Sequence, residues 1–168
     1  MFGGFGMVSG LTVDLRKGGT LPDGLDLVGG EPVFEEQEDG SQALILPEGS
    51  YLRLAMPYVS PWSLEDDGRL HSYSLTVALR VSRLPGGGGA AATLPLFHGG
   101  AELSADDADD VEHVQLYKNG GVGALGEVGV AEAAVKPGRW TWVAVTRSRD
   151  QEVRTYVDGR LCAWIKRE

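Results

Sequence analysis

The 168-residue chain holds one cysteine, Cys162, so no intrachain disulfide can form. Secreted domains of this size often carry disulfides, whereas cytosolic proteins keep their thiols reduced, which favours an intracellular, cytoplasmic setting over the extracellular alternative. Basic runs are also missing. The formal net charge is −9 and the pI about 4.8, and no stripe of Lys and Arg is present to follow a phosphate backbone or dock on anionic lipid. Nucleic acid is therefore not an expected partner, and the acidity reads first as solubility. No apolar stretch approaches the roughly 20 residues that span a bilayer, and the Gly-rich first ten residues lack the pattern of a signal peptide. The three histidines, His71, His98 and His113, share no ligand spacing such as His-x-x-x-His, which argues against a transition-metal site. His98 and His113 can meet only across strands.

Helical periodicity is the remaining absence, and it points to the fold class. Twenty-five Gly and eight Pro suit short strands joined by tight turns and would break a helical bundle. A hydrophobic fraction of 42% with four tryptophans marks a folded chain. Residues 42–46 and 50–54 read as short strands broken by Pro47-Glu48-Gly49. Residues 72–81 alternate cleanly, with Tyr73, Leu75, Val77, Leu79 and Val81 on one face, as a strand with one buried side requires. Residues 84–93 are low-complexity and read as a flexible loop with nothing to pack. Residues 93–98 form another strand, and 111–118 and 122–128 flank Asn119-Gly120-Gly121, a hairpin signal. The stretch 139–147 is apolar on both alternating sets, as expected of a central strand covered on both sides. Residues 152–157 and 160–165 form a hairpin about Asp158-Gly159. A helical turn over 129–135 is closed by Pro137-Gly138. One β-sandwich domain over 1–168 accounts for the chain.

At this point the residues resemble a known family. Gly138-Arg139-Trp140, the run from Trp140 through Val143-Ala144-Val145-Thr146-Arg147, and Tyr156-Val157-Asp158-Gly159 are similar to the laminin G-like signature, in which a Val-Ala-Val-Thr-Arg strand leads to a Tyr-Val-Asp-Gly hairpin. Pro95-Leu96-Phe97 and Val114-Gln115-Leu116-Tyr117 resemble its preceding strands, and the similarity covers roughly residues 44–165. The resemblance implies a two-sheet antiparallel jelly-roll sandwich of the laminin G-like or concanavalin A-like type. Family members continue past the hairpin to a closing strand of the form Gly-x-Ile-x-x-Val-x-Ile. Gly6-Met7-Val8-Ser9-Gly10-Leu11-Thr12-Val13 fills that pattern at the other end of the chain, so residues 6–15 are expected to replace it in a circularly permuted domain.

The same fold carries glycoside hydrolases, which need paired carboxylates flanking the bond. The nearest approach is Asp110-Val111-Glu112, with no third acid following, so no enzymatic activity is expected. Cys162 has no His beside it in sequence and suits a small buried position. The acidic run Asp106, Asp107, Asp109 and Asp110 gathers oxygen ligands and is the place for calcium if any cofactor binds, solvation being the simpler reading. Tyr58 and Trp62, on a loop set between prolines, offer flat apolar area for a ligand, against the alternative that Trp62 covers one end of the core. The expected function is a non-catalytic recognition module, monomeric as an isolated domain, that binds a protein partner or a carbohydrate within a larger multidomain protein. A hydrolase-like enzyme and a structural spacer are the alternatives.

Overall fold

Short alternating segments between turn residues become strands throughout. The computed structural model describes residues 16, 20–21, 23, 25–47, 49–54, 72–86, 93–98, 113–124, 133–148, 150 and 152–166, and no α-helix occurs among them. The protein is all-β, with several antiparallel sheets. It divides into two compact units, Met1–Trp62 and Ser63–Glu168.

The first unit contains β1 (Leu25–Val28), β2 (Val33–Glu36), β3 (Gln42–Ile45) and β4 (Tyr51–Leu54). β2 and β3 form one antiparallel ladder, and β1 pairs with β4 in another. The strands expected over 42–46 and 50–54 are thus present, but their partners, β1 and β2, were not recognised in the sequence. The β2–β3 turn closes through Gln37 N–H to Ser41 O at 2.8 Å and Gly40 N–H to Gln37 O at 2.9 Å. Asp26 and Arg53 stand opposite each other on β1 and β4 and pair at 3.1 Å. Both ends are exposed, so the pair contributes little.

The second unit contains β5 (Tyr73–Leu79), β6 (Thr93–His98), β7 (His113–Tyr117), β8 (Val122–Gly123), β9 (Thr141–Arg147), β10 (Glu152–Val157) and β11 (Arg160–Lys166). One sheet has the order β11-β10-β9-β5 and the other β6-β7-β8. Their facing sides share a core in which Val114, Leu116 and Val122 meet Val143, Val145, Val153, Val157 and Cys162, with Ala133 and Val135 completing it. Tyr73 and Leu79 pack against its margin. Their neighbour Val77, on the same alternating set, is exposed.

Two sequence expectations change here. β9 is central, lying between β10 and β5, but it is buried on one side only: Thr141, Val143, Val145 and Arg147 are covered while Trp142 is 60% exposed. An antiparallel sheet tolerates an open face, so an apolar outward set need not mean a second covering layer. The start of the low-complexity stretch does pack, since Leu84 lies against the core and Pro85 is buried. Of the helical turn expected over 129–135, residues 129–132 lie outside the described residues, and Ala133 and Val135 enter the core.

Two details fasten the layers. The β10–β11 register shifts between Thr155 and Tyr156, so that Thr155 faces Ala163 and Tyr156 faces Leu161. Cys162 is the extra residue of that bulge, which turns its side chain inward. Its Sγ accepts the Val122 N–H at 3.3 Å and donates to Ala133 O at 3.1 Å. The Thr155 hydroxyl donates to Val122 O at 2.6 Å and accepts the Ala163 N–H at 3.1 Å. Gly120, at φ +81, donates to Tyr117 O and accepts the Val135 N–H, each at 2.8 Å. A Cβ on Gly120 would lie 2.4 Å from Val135 O, so only glycine fits this crossing.

Candidate recognition face

Alternation along four paired strands places a second set of side chains on the outer face of the β11-β10-β9-β5 sheet. The registers put Thr76, Ala144, Tyr156 and Leu161 in one cross-strand row. The next row is Ser74, Thr146, Arg154 and Trp164, and on the other side Ala78 lies beside Trp142. Trp142, Tyr156 and Trp164 therefore run diagonally across β9, β10 and β11. With strands about 4.8 Å apart and about 6.7 Å between same-face residues, each diagonal step is about 8 Å and the whole line about 16 Å.

The described tryptophans are not core residues. Trp142 and Trp164 are each 60% exposed and Trp140 44%, with Leu161 at 49% beside them. Small side chains at Ala78, Ala144, Thr76 and Thr146 leave the large rings standing clear of the sheet. Rings held on a rigid strand offer contact area at low entropic cost.

Cations accompany the rings. The Arg154 guanidinium lies 5.4 Å from the Trp164 ring centre, and that of Arg80 lies 5.5 Å from Trp140. Arg154 also pairs with Glu152 at 2.9 Å, and Lys166 reaches the same carboxylate at 3.7 Å. Between Lys136 and Glu168 there are eight basic and four acidic residues, although the chain as a whole carries −9. Arg154 and Lys166 thus meet at Glu152 through the β10–β11 pairing.

The described carboxylates at β10 and its turn, Glu152 and Asp158, lie at opposite ends of that strand. Six residues of extended chain separate them by about 20 Å, far beyond the roughly 5–10 Å of a glycosidase pair. Asp158 is further held by Arg139 at 3.0 Å and by the Trp142 N–H at 2.9 Å. Beside Glu152 a small cavity of about 160 Å³ is lined by Ser72, Thr146, Arg147, Ser148, Glu152 and Arg154.

The sequence-derived ligand residues Tyr58 and Trp62, the calcium candidates Asp106, Asp107, Asp109 and Asp110, the pair Asp110 and Glu112, and residues 6–15 all lie outside the described residues. Cys162 is buried, as expected, although it is the bulge and not strict alternation that turns it inward. His98 and His113 are register partners on β6 and β7. Among the described residues no group of three or more His, Cys, Asp or Glu side chains is placed to hold a metal ion. Sequence reasoning missed Trp142, Tyr156, Leu161 and Trp164. The signal was available in the equal spacing of Trp140, Trp142, Ala144 and Thr146 opposite a buried set. No family model, no curated protein and no solved structure matches this chain.

Proposed function

We propose that this chain is a non-catalytic recognition module that binds through the outer face of its four-stranded sheet. The observation that carries the reading is the diagonal of Trp142, Tyr156 and Trp164 on an exposed sheet surface. Apolar rings held in water by a rigid sheet favour a ligand that covers them. The ligand class is a protein partner or a glycan, presented to a module of a larger protein. The finer fold reading is a jelly roll of the laminin G-like or concanavalin A-like type. It is supported by β9 leading directly into the β10–β11 hairpin about Asp158-Gly159, the arrangement the sequence resemblance implies. The wide separation of Glu152 from Asp158 supports a binding role over hydrolysis at this face.

The test compares wild-type chain with Trp142→Ala and Trp164→Ala on a glycan array, beside a pull-down from cytosol. Capture by wild type that both variants lose supports the reading. Equal capture by all three chains, or none by any, removes the face from consideration.

A further inference from the structure

Two of the three histidines in this chain come to a single register position, His98 at the end of β6 and His113 at the start of β7. We infer that they form a two-histidine site for a divalent transition-metal ion of the zinc, nickel and copper class. The site lies on the β6–β7 ladder and does not depend on the recognition face described above.

A bulge creates the juxtaposition. β6 and β7 pair in step from Thr93 opposite Tyr117 to Pro95 opposite Gln115. The register then shifts, so that Phe97 meets Val114 and His98 meets His113, with Leu96 as the extra residue. Without that residue Phe97 would stand opposite His113, and His98 would fall one place beyond it. Bulges occur beside functional positions because they re-aim the residues that follow. The core accounts for Leu96 and Phe97, which both pack against it. The histidine pair is the second consequence of the same shift.

The pair belongs to the outer face of the ladder. Val114 is fully buried and its partner Phe97 packs on the core, so the next position along each strand falls on the opposite side. The remaining register positions of that side are Thr93 with Tyr117 and Pro95 with Gln115. None is a Lys or Arg that would repel a cation, and the chain carries −9 overall.

Directly opposed residues of an antiparallel pair stand about 4.5–5.5 Å apart at Cβ. Two zinc–nitrogen bonds of about 2.0–2.1 Å at a tetrahedral angle hold their nitrogens about 3.3 Å apart. A cross-strand histidine pair therefore suits one ion shared between two imidazoles, with water completing its coordination. Imidazole favours zinc, nickel and copper, whereas calcium and magnesium take oxygen ligands. Two protein ligands make an open site, unlike the four of a structural zinc centre. Because both residues sit where the chain leaves the ladder, a bound ion ties the two strand ends together.

The probe is the metal alone. Ni²⁺ is titrated into the full chain while the histidine ring resonances are followed by NMR, and calorimetry gives the affinity for Ni²⁺ and Zn²⁺. The expected result is one ion per chain, with paramagnetic broadening of the His98 and His113 resonances ahead of His71. His98→Ala and His113→Ala should each weaken binding at least tenfold, and His71→Ala should leave it within twofold. Zn²⁺ at about 100 times its Kd should raise the melting temperature and slow amide exchange at Phe97 and Val114. Both effects should vanish in either variant, and Ca²⁺ should produce neither. The wild-type broadening needs no substitution, so the inference is tested even if a variant folds poorly.

Broadening spread equally over the three histidines overturns the inference, as does binding that survives both substitutions. An equal response to Ca²⁺ also overturns it, since the ion is then held by carboxylates. So does the absence of any binding up to millimolar Ni²⁺ and Zn²⁺.

Discussion

Asp158 and Trp142 hold each other by reciprocal hydrogen bonds: the Trp142 N–H donates to Asp158 Oδ1 at 2.9 Å, and the Asp158 N–H donates to Trp142 O at 2.8 Å. Asp158 has φ +49 and precedes Gly159 at +78, the geometry of a tight hairpin turn. Its carboxylate thereby fixes the strand that displays one of the two most exposed rings of the candidate face, and it is occupied in doing so. Replacing Asp158 by Ala removes the acceptor and puts a side chain with no local hydrogen bond into a left-handed conformation. A loss of about 1–3 kcal/mol is expected from these effects together. Asp158→Asn keeps an acceptor and tolerates positive φ, so it should lose less than half as much. The Arg139 ion pair is largely exposed and adds little. Urea titration of both variants measures the difference, and equal losses would show that the side-chain acceptor is irrelevant.

Gly120 is the sharper backbone constraint. Gly120→Ala combines positive φ with a Cβ at 2.4 Å from Val135 O, whose residue is buried in the core. Gly138 has a similar φ of +74, but nothing lies within 4 Å of its would-be Cβ. Gly138→Ala should cost only the conformational penalty, about 1 kcal/mol, while Gly120→Ala should cost at least twice that. Denaturant midpoints for the pair check the ranking, and a reversed order would contradict the close approach of 120 to 135.

How much of this was legible in the sequence depended on whether a residue acts along its own strand or across to another. Alternation found β5, β6, β9, β10 and β11 to within two residues, because each is long enough for a period of two to show. Asn119-Gly120 and Asp158-Gly159 announced their turns through chemistry local to the turn. What stayed hidden was pairwise. That Trp142, Tyr156 and Trp164 form one line depends on two strand registers and on the Cys162 bulge, none of which is written in any single segment. The cations were hidden likewise, since Arg80 and Arg154 each come beside a tryptophan ring only in the folded sheet. Tryptophan was read as core material because large apolar side chains usually are, and here the outward alternation overrides that habit.

Asp39 gives the first unit a response to pH. Its carboxylate accepts the Ser41 hydroxyl at 2.6 Å and the Ser41 N–H at 2.9 Å, closing the β2–β3 turn. The Ser41 side-chain bond, followed by the backbone bond, holds its pKa below the usual 3.8. A carboxylate depressed in the folded state contributes stability that is present above the unfolded pKa and lost as pH falls through the folded one. The hairpin should therefore be unaffected from neutral pH to about pH 5 and loosen only below the ordinary Asp range. NMR titration of the Asp39 carboxyl should give a midpoint below 3.8 that returns towards the ordinary value in Ser41→Ala. A midpoint unchanged by that substitution would remove Ser41 as the cause.

Thr155 tests whether the two layers of the second unit are joined by polar groups as well as by apolar packing. Its hydroxyl is fully buried and spans the sheets, donating to Val122 O on β8 and accepting the Ala163 N–H on β11. Thr155→Val keeps the shape and removes both bonds, leaving a buried acceptor and a buried donor unpaired. Each unsatisfied group costs about 1–3 kcal/mol, with partial relief where the structure relaxes, so a total loss of about 2–4 kcal/mol is expected. Thr155→Ser removes one methyl group and keeps the hydroxyl, at about 1 kcal/mol. The signature that separates this from mere repacking is local: hydrogen exchange at the Ala163 amide should quicken in Thr155→Val and stay protected in Thr155→Ser. If valine proves as stable as threonine and the Ala163 amide remains protected, the inter-sheet bonds contribute nothing and packing alone joins the layers.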